Sequence, residues 1–585
     1  MLHLRSKSIY KISSSVLLAI LLNFTMNITK SYAQNWNSIP GTNGTIYAML
    51  YDNLNGWLYI GGDFTIVGGV PANRIARWDG TIWSALGTGL NNTVRALSFY
   101  PYSTNIVAGG DFTSAGSITA NRIALWNGSS WIPAFASGMN DIVCALTLYT
   151  PPPGSQTYLI AGGNFTTAGG INANRLAAWI GSWTYIGNGV NDSVFSLTAS
   201  EPPANTYLYI GGSFTMSGTS IVKRTARLLG ITGSPSQLGA GIDDGTVYAL
   251  AIYGPGTTLY AGGSFIMIGG ITFNRIARWT GNWSLVGTGI NNTVYSLYTT
   301  NTVTSPGILC VGGLFTDAGG VPADRVATWN NSNWGTLGSG MSGGNPSIVR
   351  AFRDFRMVLA AGGLFTSAGG ISVSNIAIWG SVPNAPNTIS PACGALGQSL
   401  TPTLDWSDVP NTWRYGLQLS KNPNFNPLIL DLTGIVASQY TISSGILQND
   451  SIYFWRVNAT NGLGTGSWSQ TCWFQTLFTG IKYINKDIPV EFRIYQNYPN
   501  PFNPVTKIKF DIPAASLNPE HSGQPLIQIK VFDMLGREVA TLVNKQLNPG
   551  TYEVDWDASK ITSGVYYYKL ISGDFSETRK MVIIK

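Results

Sequence analysis

The stretch LYIGGDFTIVGGVPANRIARWDG, residues 58–80, returns in edited form six more times before residue 385. The later copies carry their glycine pairs from Gly109, Gly162, Gly211, Gly262, Gly312 and Gly362, a period of about fifty residues. A unit of that length is one small sheet that cannot bury its own faces, so neighbouring copies must stack to make a core. This repetition excludes a single conventional globular core for the first two thirds of the chain.

One copy, residues 94–138, contains four short apolar runs, VRALSF, NIVAGG, RIALW and WIPAF, each bounded by Gly, Asn, Pro or Ser. They read as four antiparallel strands. The third and fourth are joined by Asp79-Gly80, Asn127-Gly128, Ile180-Gly181 or Thr280-Gly281, where glycine supplies the positive φ of a tight hairpin. The pair ending the second strand, Gly61 and Gly62 in the first copy, suits close backbone approach. The last copy stops at NIAIWG without its fourth strand, and the missing text stands at residues 35–41 as NWNSIPG. The expected fold is all-β, a seven-bladed β-propeller over residues 34–383 whose N-terminal strand closes the last blade. Such a ring hides most strand edges.

Residues 1–33 read as a secretory signal peptide: Arg5, Lys7 and Lys11 precede the apolar run at 16–22, and Ser31-Tyr32-Ala33 offers small residues for cleavage. No run reaches the roughly 20 apolar residues of a membrane span. Of the formal charge of +7, four units come from this leader, leaving +3. So small a balance argues against a nucleic-acid partner.

Six copies open the third strand with arginine, Arg74, Arg122, Arg175, Arg224, Arg275 and Arg325, and the seventh has Asn375. They are either a cationic ring for an anionic glycan or structural charges paired with carbonyls. Alternation would place Arg74, Ala76 and Trp78 on one covered face. Tryptophans flank the outer hairpin, as in Trp78 with Trp83, Trp126 with Trp131, Trp279 with Trp283, and at Trp179 and Trp329. They suit packing between blades or stacking on sugars. The loops between first and second strands, YPYSTN, YTPPPGSQT, SEPPANT and TTNTVTSPG, are irregular, so recognition is expected there.

Catalysis has little to stand on. The two histidines are His3, in the leader, and His521, near the C-terminus, which removes the usual bases and copper ligands from the repeats. Glu201 is the one glutamate of the repeats, against the two carboxylates a glycosidase needs. Asp63, Asp111 and Asn164 follow glycine pairs, but later copies put Ser or Leu there, so no calcium, other metal or cofactor is expected. Cys144 and Cys310 read as small core residues. Cys393 and Cys472 bracket one later domain, where a disulfide would suit an oxidising compartment.

The double glycine followed by spaced aromatics resembles kelch-type blades. The fuller phrase GGDFT, NRIARW, then W-x-x-LGTGLNNTV is similar to bacterial surface propellers of the delta-60 type and to the fungal cortical cell-polarity marker family. These resemblances imply a propeller at a cell surface and imply no reaction. Residues 384–477, with LDWS, YGLQLS and SIYFWRVNATN, have the size and strand count of an immunoglobulin-like sandwich. Leu447 ahead of Tyr453, Trp455 and Val457 resembles the tyrosine corner of fibronectin type III domains, with Trp406 as the core aromatic.

A linker at 478–494 leads to residues 495–585, whose alternating runs TKIKFDI, IQIKVFD, TYEVDWD, GVYYYKL and RKMVIIK read as a second sandwich. NYPNPFNP, DMLGREV and GVYYYKL together resemble the type A C-terminal sorting domain of the type IX secretion system. The resemblance implies a periplasmic passage and export across the outer membrane of a Bacteroidetes-like bacterium, with the secretion machinery as partner. It assigns the sorting signature to Asn497, Pro499, Asn500, Pro501, Phe502, Asn503, Pro504, Gly536, Arg537, Gly564 and Lys569. The expected function is a secreted or surface-held binding and adhesion protein, without catalysis, for a polysaccharide or a surface protein. A polysaccharide-active enzyme or a structural surface-layer component are the alternatives.

Overall fold

The structure is a computed structural model that describes residues 34–152, 156–200, 206–254, 258–300, 307–449, 451–476, 482–485, 488–514 and 526–585. The leader at 1–33, Glu201, His521 and the middles of three irregular loops lie outside the described residues. Among the described residues every element of length is a strand, and no α-helix occurs.

The chain divides into two compact units, the first holding the repeats. There each copy builds one four-stranded antiparallel sheet, and seven such sheets are found among the described residues. In the first, Ile46–Asp52 pairs with Trp57–Gly62, then Ile75–Trp78, then Trp83–Ala85. The last is completed from the other end of the unit: Asn35–Ser38 pairs with Ile376–Gly380, placing Trp36 opposite Trp379. The seven first strands touch in cyclic order, from Ile46–Asp52 through Val94–Phe99, Val143–Tyr149, Val194–Ala199, Val247–Tyr253 and Val294–Thr300 to Ile348–Phe355 and back.

The glycine pairs make that contact close. A Cβ on Gly61 would stand 2.5 Å from the Val94 methyl of the next sheet, and one on Gly62 would strike the Thr45 carbonyl of its own sheet. Between second and third strands the chain forms a small ribbon, such as Ile66–Val67 with Val70–Pro71. Its strands are two residues long, too short to show a period.

In the second unit, Thr388–Ser390, Thr403–Trp406 and Gln439–Thr441 form one sheet. Ala395–Gln398, Cys472–Thr476, Ile452–Asn461, Arg414–Ser420 and Leu430–Ile435 lie in another, and Trp406, Leu417, Tyr453 and Trp455 fill one core. The Gln448 amide donates to the Tyr453 hydroxyl at 2.8 Å, the local bond that gives a tyrosine corner its grip.

The C-terminal residues form two further four-stranded sheets around Ile508, Phe510, Ile529, Trp556 and Tyr568. Three of these strands lie outside the expected runs. Lys482–Asn485 and Arg493–Ile494 come from the stretch expected as a linker and pair with Gly550–Asp557 and Val505–Ile512. The third is Glu538–Gln546. It buries only Val543 and its pairing with Leu526–Phe532 slips register twice, so alternation is erased.

Candidate functional site

In all seven sheets the pairing of first and second strands skips one residue at the same place: Val94 faces Gly110 and Ala96 faces Gly109, leaving Arg95 without a partner. The same bulge lies between Ile46 and Ala48, Val143 and Ala145, Val194 and Ser196, Val247 and Ala249, Val294 and Ser296, and Val349 and Ala351. A bulge bends the strand and re-aims its extra side chain. The residues so placed are Tyr47, Arg95, Cys144, Phe195, Tyr248, Tyr295 and Arg350, all half-buried and all on the strands that touch in cyclic order.

Six of these side chains touch in series. The Arg350 guanidinium lies over Tyr47 at 5.0 Å and over Tyr295 at 4.5 Å, and Arg95 lies over Tyr47 at 5.5 Å. Tyr295 meets Tyr248 at 5.0 Å between ring centroids, and Tyr248 meets Phe195 at 5.3 Å. Aromatic faces flank cations favourably at such distances. Arg95 also grips Asp111 with two bonds, of 2.5 and 2.7 Å, which raise its pKa further. Burial pushes the Cys144 thiol up to about 12, against the pull of Arg95, so it stays a neutral thiol. Burial likewise raises the Tyr295 phenol, offset in part by Arg350. Cys144 is mostly buried, and Cys310 is fully buried.

Asparagines fasten the same end of the sheets. The Asn91 side chain accepts from the amides of Thr113 and Ser114 at 2.9 and 3.1 Å and donates to Thr113 Oγ1 at 2.9 Å. Asn43, Asn140, Asn191 and Asn291 repeat the clamp, and Asp244 accepts the equivalent two amides.

The arginines opening the third strand are elsewhere, and the alternation expected of them fails. Arg74, Arg122, Arg175, Arg224, Arg275 and Arg325 precede the strand with φ between 61° and 71°, and Asn375 has φ 65°. That left-handed conformation favours Asn among non-glycine residues, which explains why Asn replaces Arg in the seventh copy. Arg74 Nη1 donates to the Asp63 carbonyl, and Arg122 donates to the Asp111 and Phe112 carbonyls at 2.8 and 3.3 Å. Arg224 reaches the carbonyls of Gly245, Ile242 and Asp243; Arg275 reaches Ile290, and Arg325 reaches Ser347 and Phe315. Arg175 stands by Asp192.

The tryptophans are packed away. Trp78 and Trp83 face each other across the outer hairpin at 5.1 Å, and the pairs at Trp126, Trp179, Trp279 and Trp329 lie at 5.1–5.4 Å. The second member of each pair donates its indole N–H to a neighbouring sheet, as Trp131 to the Leu86 carbonyl at 2.9 Å.

In the second unit Cys393 and Cys472 are two free thiols rather than a disulfide. They are neighbours all the same, because Ala395 pairs with Phe474 and the Gly394 amide bonds the Trp473 carbonyl at 2.7 Å. Burial, then the hydrogen bond with Cys393, pushes the Cys472 thiol up to about 12.

Residues 497–504 run beside the last strand. The Asn497 side chain donates to the Pro499 carbonyl and to Thr506 Oγ1, and its amide donates to the Tyr568 hydroxyl at 2.7 Å. Asn500 Oδ1 accepts from the Val582 amide at 2.9 Å, while buried Phe502 packs on Trp556. Pro501, Asn503 and Pro504 complete the segment, and the Pro504 carbonyl accepts from Ala558 at 2.9 Å. Gly536 turns with φ 78° in a hairpin where Arg537 bonds Asp533 at 2.7 Å. Gly564 and Lys569 lie on the strand Gly564–Ser572.

Residues 496–585 match the family described as a secretion system C-terminal sorting domain. Residues 54–78 match a domain of unknown function described as a beta-propeller, DUF5122. No curated protein matches the chain. Among solved structures, the chicken CNTN1 FN1–FN3 domains are 13% identical, with 39% of this chain and 74% of that chain covered at a TM-score of 0.15. The α-L-rhamnosidase from Dictyoglumus thermophilum is 11% identical, with 35% and 29% covered at a TM-score of 0.16. Likenesses so partial leave function to be read from the residues. The sorting domain marks a secreted protein, sent by the type IX system to the cell surface or the extracellular space, and the chain carries a propeller-type domain.

Proposed function

We propose that the chain is an exported, non-catalytic binding protein. A seven-bladed propeller over residues 34–383 presents its central ring and irregular loops to a polysaccharide or a surface protein. Residues 384–477 form a fibronectin type III-like spacer and 495–585 the sorting domain, to whose first sheet Lys482–Asn485 and Arg493–Ile494 of the preceding stretch add two strands. One observation carries this reading. A framework spelled almost identically seven times holds one varied, partly exposed side chain per sheet, and six of those seven touch in one series from Arg95 through Tyr47, Arg350, Tyr295 and Tyr248 to Phe195. Repetition supplies rigidity, and the varied slot supplies selectivity.

A screen of the purified full chain against plant, bacterial and animal polysaccharides, with product analysis of each hit, tests it. The expected result is saturable binding with the polymer left at its original length. Shortened polymer would replace this reading with an enzyme; ordered self-association with no ligand bound would replace it with a surface-layer component.

A further inference from the structure

Arg350 is the odd member of the ring. Arg95 is neutralised by Asp111, but among the described residues the Arg350 guanidinium has no hydrogen bond and no ion pair. Its Nε is buried without a partner, and Tyr47 and Tyr295 hold the group from two sides. Arg74 and Arg122 also leave Nε unpartnered but bond carbonyls through Nη1, whereas among the described residues Arg350 has no bond from any donor, which marks a place where something else supplies the acceptor.

We propose that Arg350, flanked by Tyr47 and Tyr295, binds the carboxylate of a uronate sugar in an acidic polysaccharide. This deepens the reading of the repeats as a binding scaffold and rests on it. The charge count selects the ligand class. Arg95 is paired with Asp111 and Cys144 is a thiol, so Arg350 is the one cation of the ring without an ion pair among the described residues, matched to one carboxylate. A phosphate dianion or a densely sulfated chain would call for several cations. The remaining members, Tyr47, Phe195, Tyr248 and Tyr295, offer aromatic faces and phenol hydroxyls, which suit the C–H face and hydroxyls of a sugar ring. An acidic peptide would use the charge but not that surface.

The test is calorimetric titration of the full chain with oligomers of polygalacturonate, polymannuronate and polyguluronate, each beside its methyl ester, which keeps the sugar and removes the charge. At least one free acid should bind about tenfold more tightly than its ester, and Arg350→Gln should lose about the same factor. Arg350→Gln also gives up the contacts with Tyr47 and Tyr295, so it should melt slightly below the parent, and the acid-to-ester ratio of the unmutated chain tests the proposal independently of that loss. Asp111→Asn frees Arg95 and should tighten binding of the free acid. Equal affinity for acid and ester, or full affinity in Arg350→Gln, overturns the assignment while the scaffold reading stands. Equal binding of a glutamate-rich peptide overturns the sugar class, and failure of every polyuronate to bind overturns the proposal outright. Failure of the scaffold reading looks different: no polysaccharide, neutral or acidic, binds in the broad screen.

Discussion

Replacing Trp36 by alanine should cost the first unit about 3–5 kcal/mol, the range for deleting a buried aromatic from a packed core. Trp36 is 5% exposed, meets Trp379 at 5.3 Å and donates to the Leu337 carbonyl at 2.7 Å. It belongs to the strand that reaches back more than three hundred residues to finish the last sheet, so its loss loosens the joint between the two ends of the repeat array. The mutant leaves both a cavity and an unpaired carbonyl, and neither can be healed locally. Urea unfolding of wild type, Trp36→Ala and Trp36→Phe measures this. The alanine midpoint should fall well below the phenylalanine one. An unchanged midpoint in Trp36→Ala would mean that Asn35–Ser38 contributes nothing to closing the array.

Phe502→Ala should abolish export. Phe502 is 3% exposed, packs tilted at 5.6 Å against Trp556 and exchanges backbone bonds of 3.0 Å with Val582 and Ile584. With Asn500, it holds the segment 497–504 against the last strand. Truncating it should remove about 3–5 kcal/mol, a large share of the stability of a domain this small. The substituted protein should accumulate in the periplasm, whereas Tyr498→Ala, at a side chain 79% exposed, should be exported normally. Fractionation with immunodetection decides this. Surface delivery of Phe502→Ala at the wild-type level would show that export ignores the fold of the segment.

Strands and turns were legible because the repeat writes them seven times and because buried strands such as Leu208–Gly212 are apolar throughout. The joint at Asn35–Ser38 was legible from a missing phrase. The ring was not. Strict alternation would put residues 95 and 97 on one face, but the bulge breaks alternation between Val94 and Ala96. The available signal was the letter after the repeated Val, Arg in NNTVRAL against Cys in NDIVCAL and Tyr in NNTVYSL, which changes in size and charge while its neighbours change little. Attention to irregular loops passes over such a letter. The left-handed backbone of Arg74 and its counterparts was hidden for another reason: arginine gives no composition cue for positive φ, and only Asn375 hints at it. The C-terminal signature was readable because its prolines and asparagines make local bonds, as Asn497 does with Pro499.

Hydrogen exchange of the full chain, with and without a polysaccharide that binds it, tests the central claim most directly. The expected result is slowed exchange at the seven bulges, around Tyr47, Arg95, Cys144, Phe195, Tyr248, Tyr295 and Arg350, with the outer tryptophan hairpins unchanged. Slowing confined to residues 384–477, or to the outer hairpins, would contradict a ligand held at the centre of the repeats.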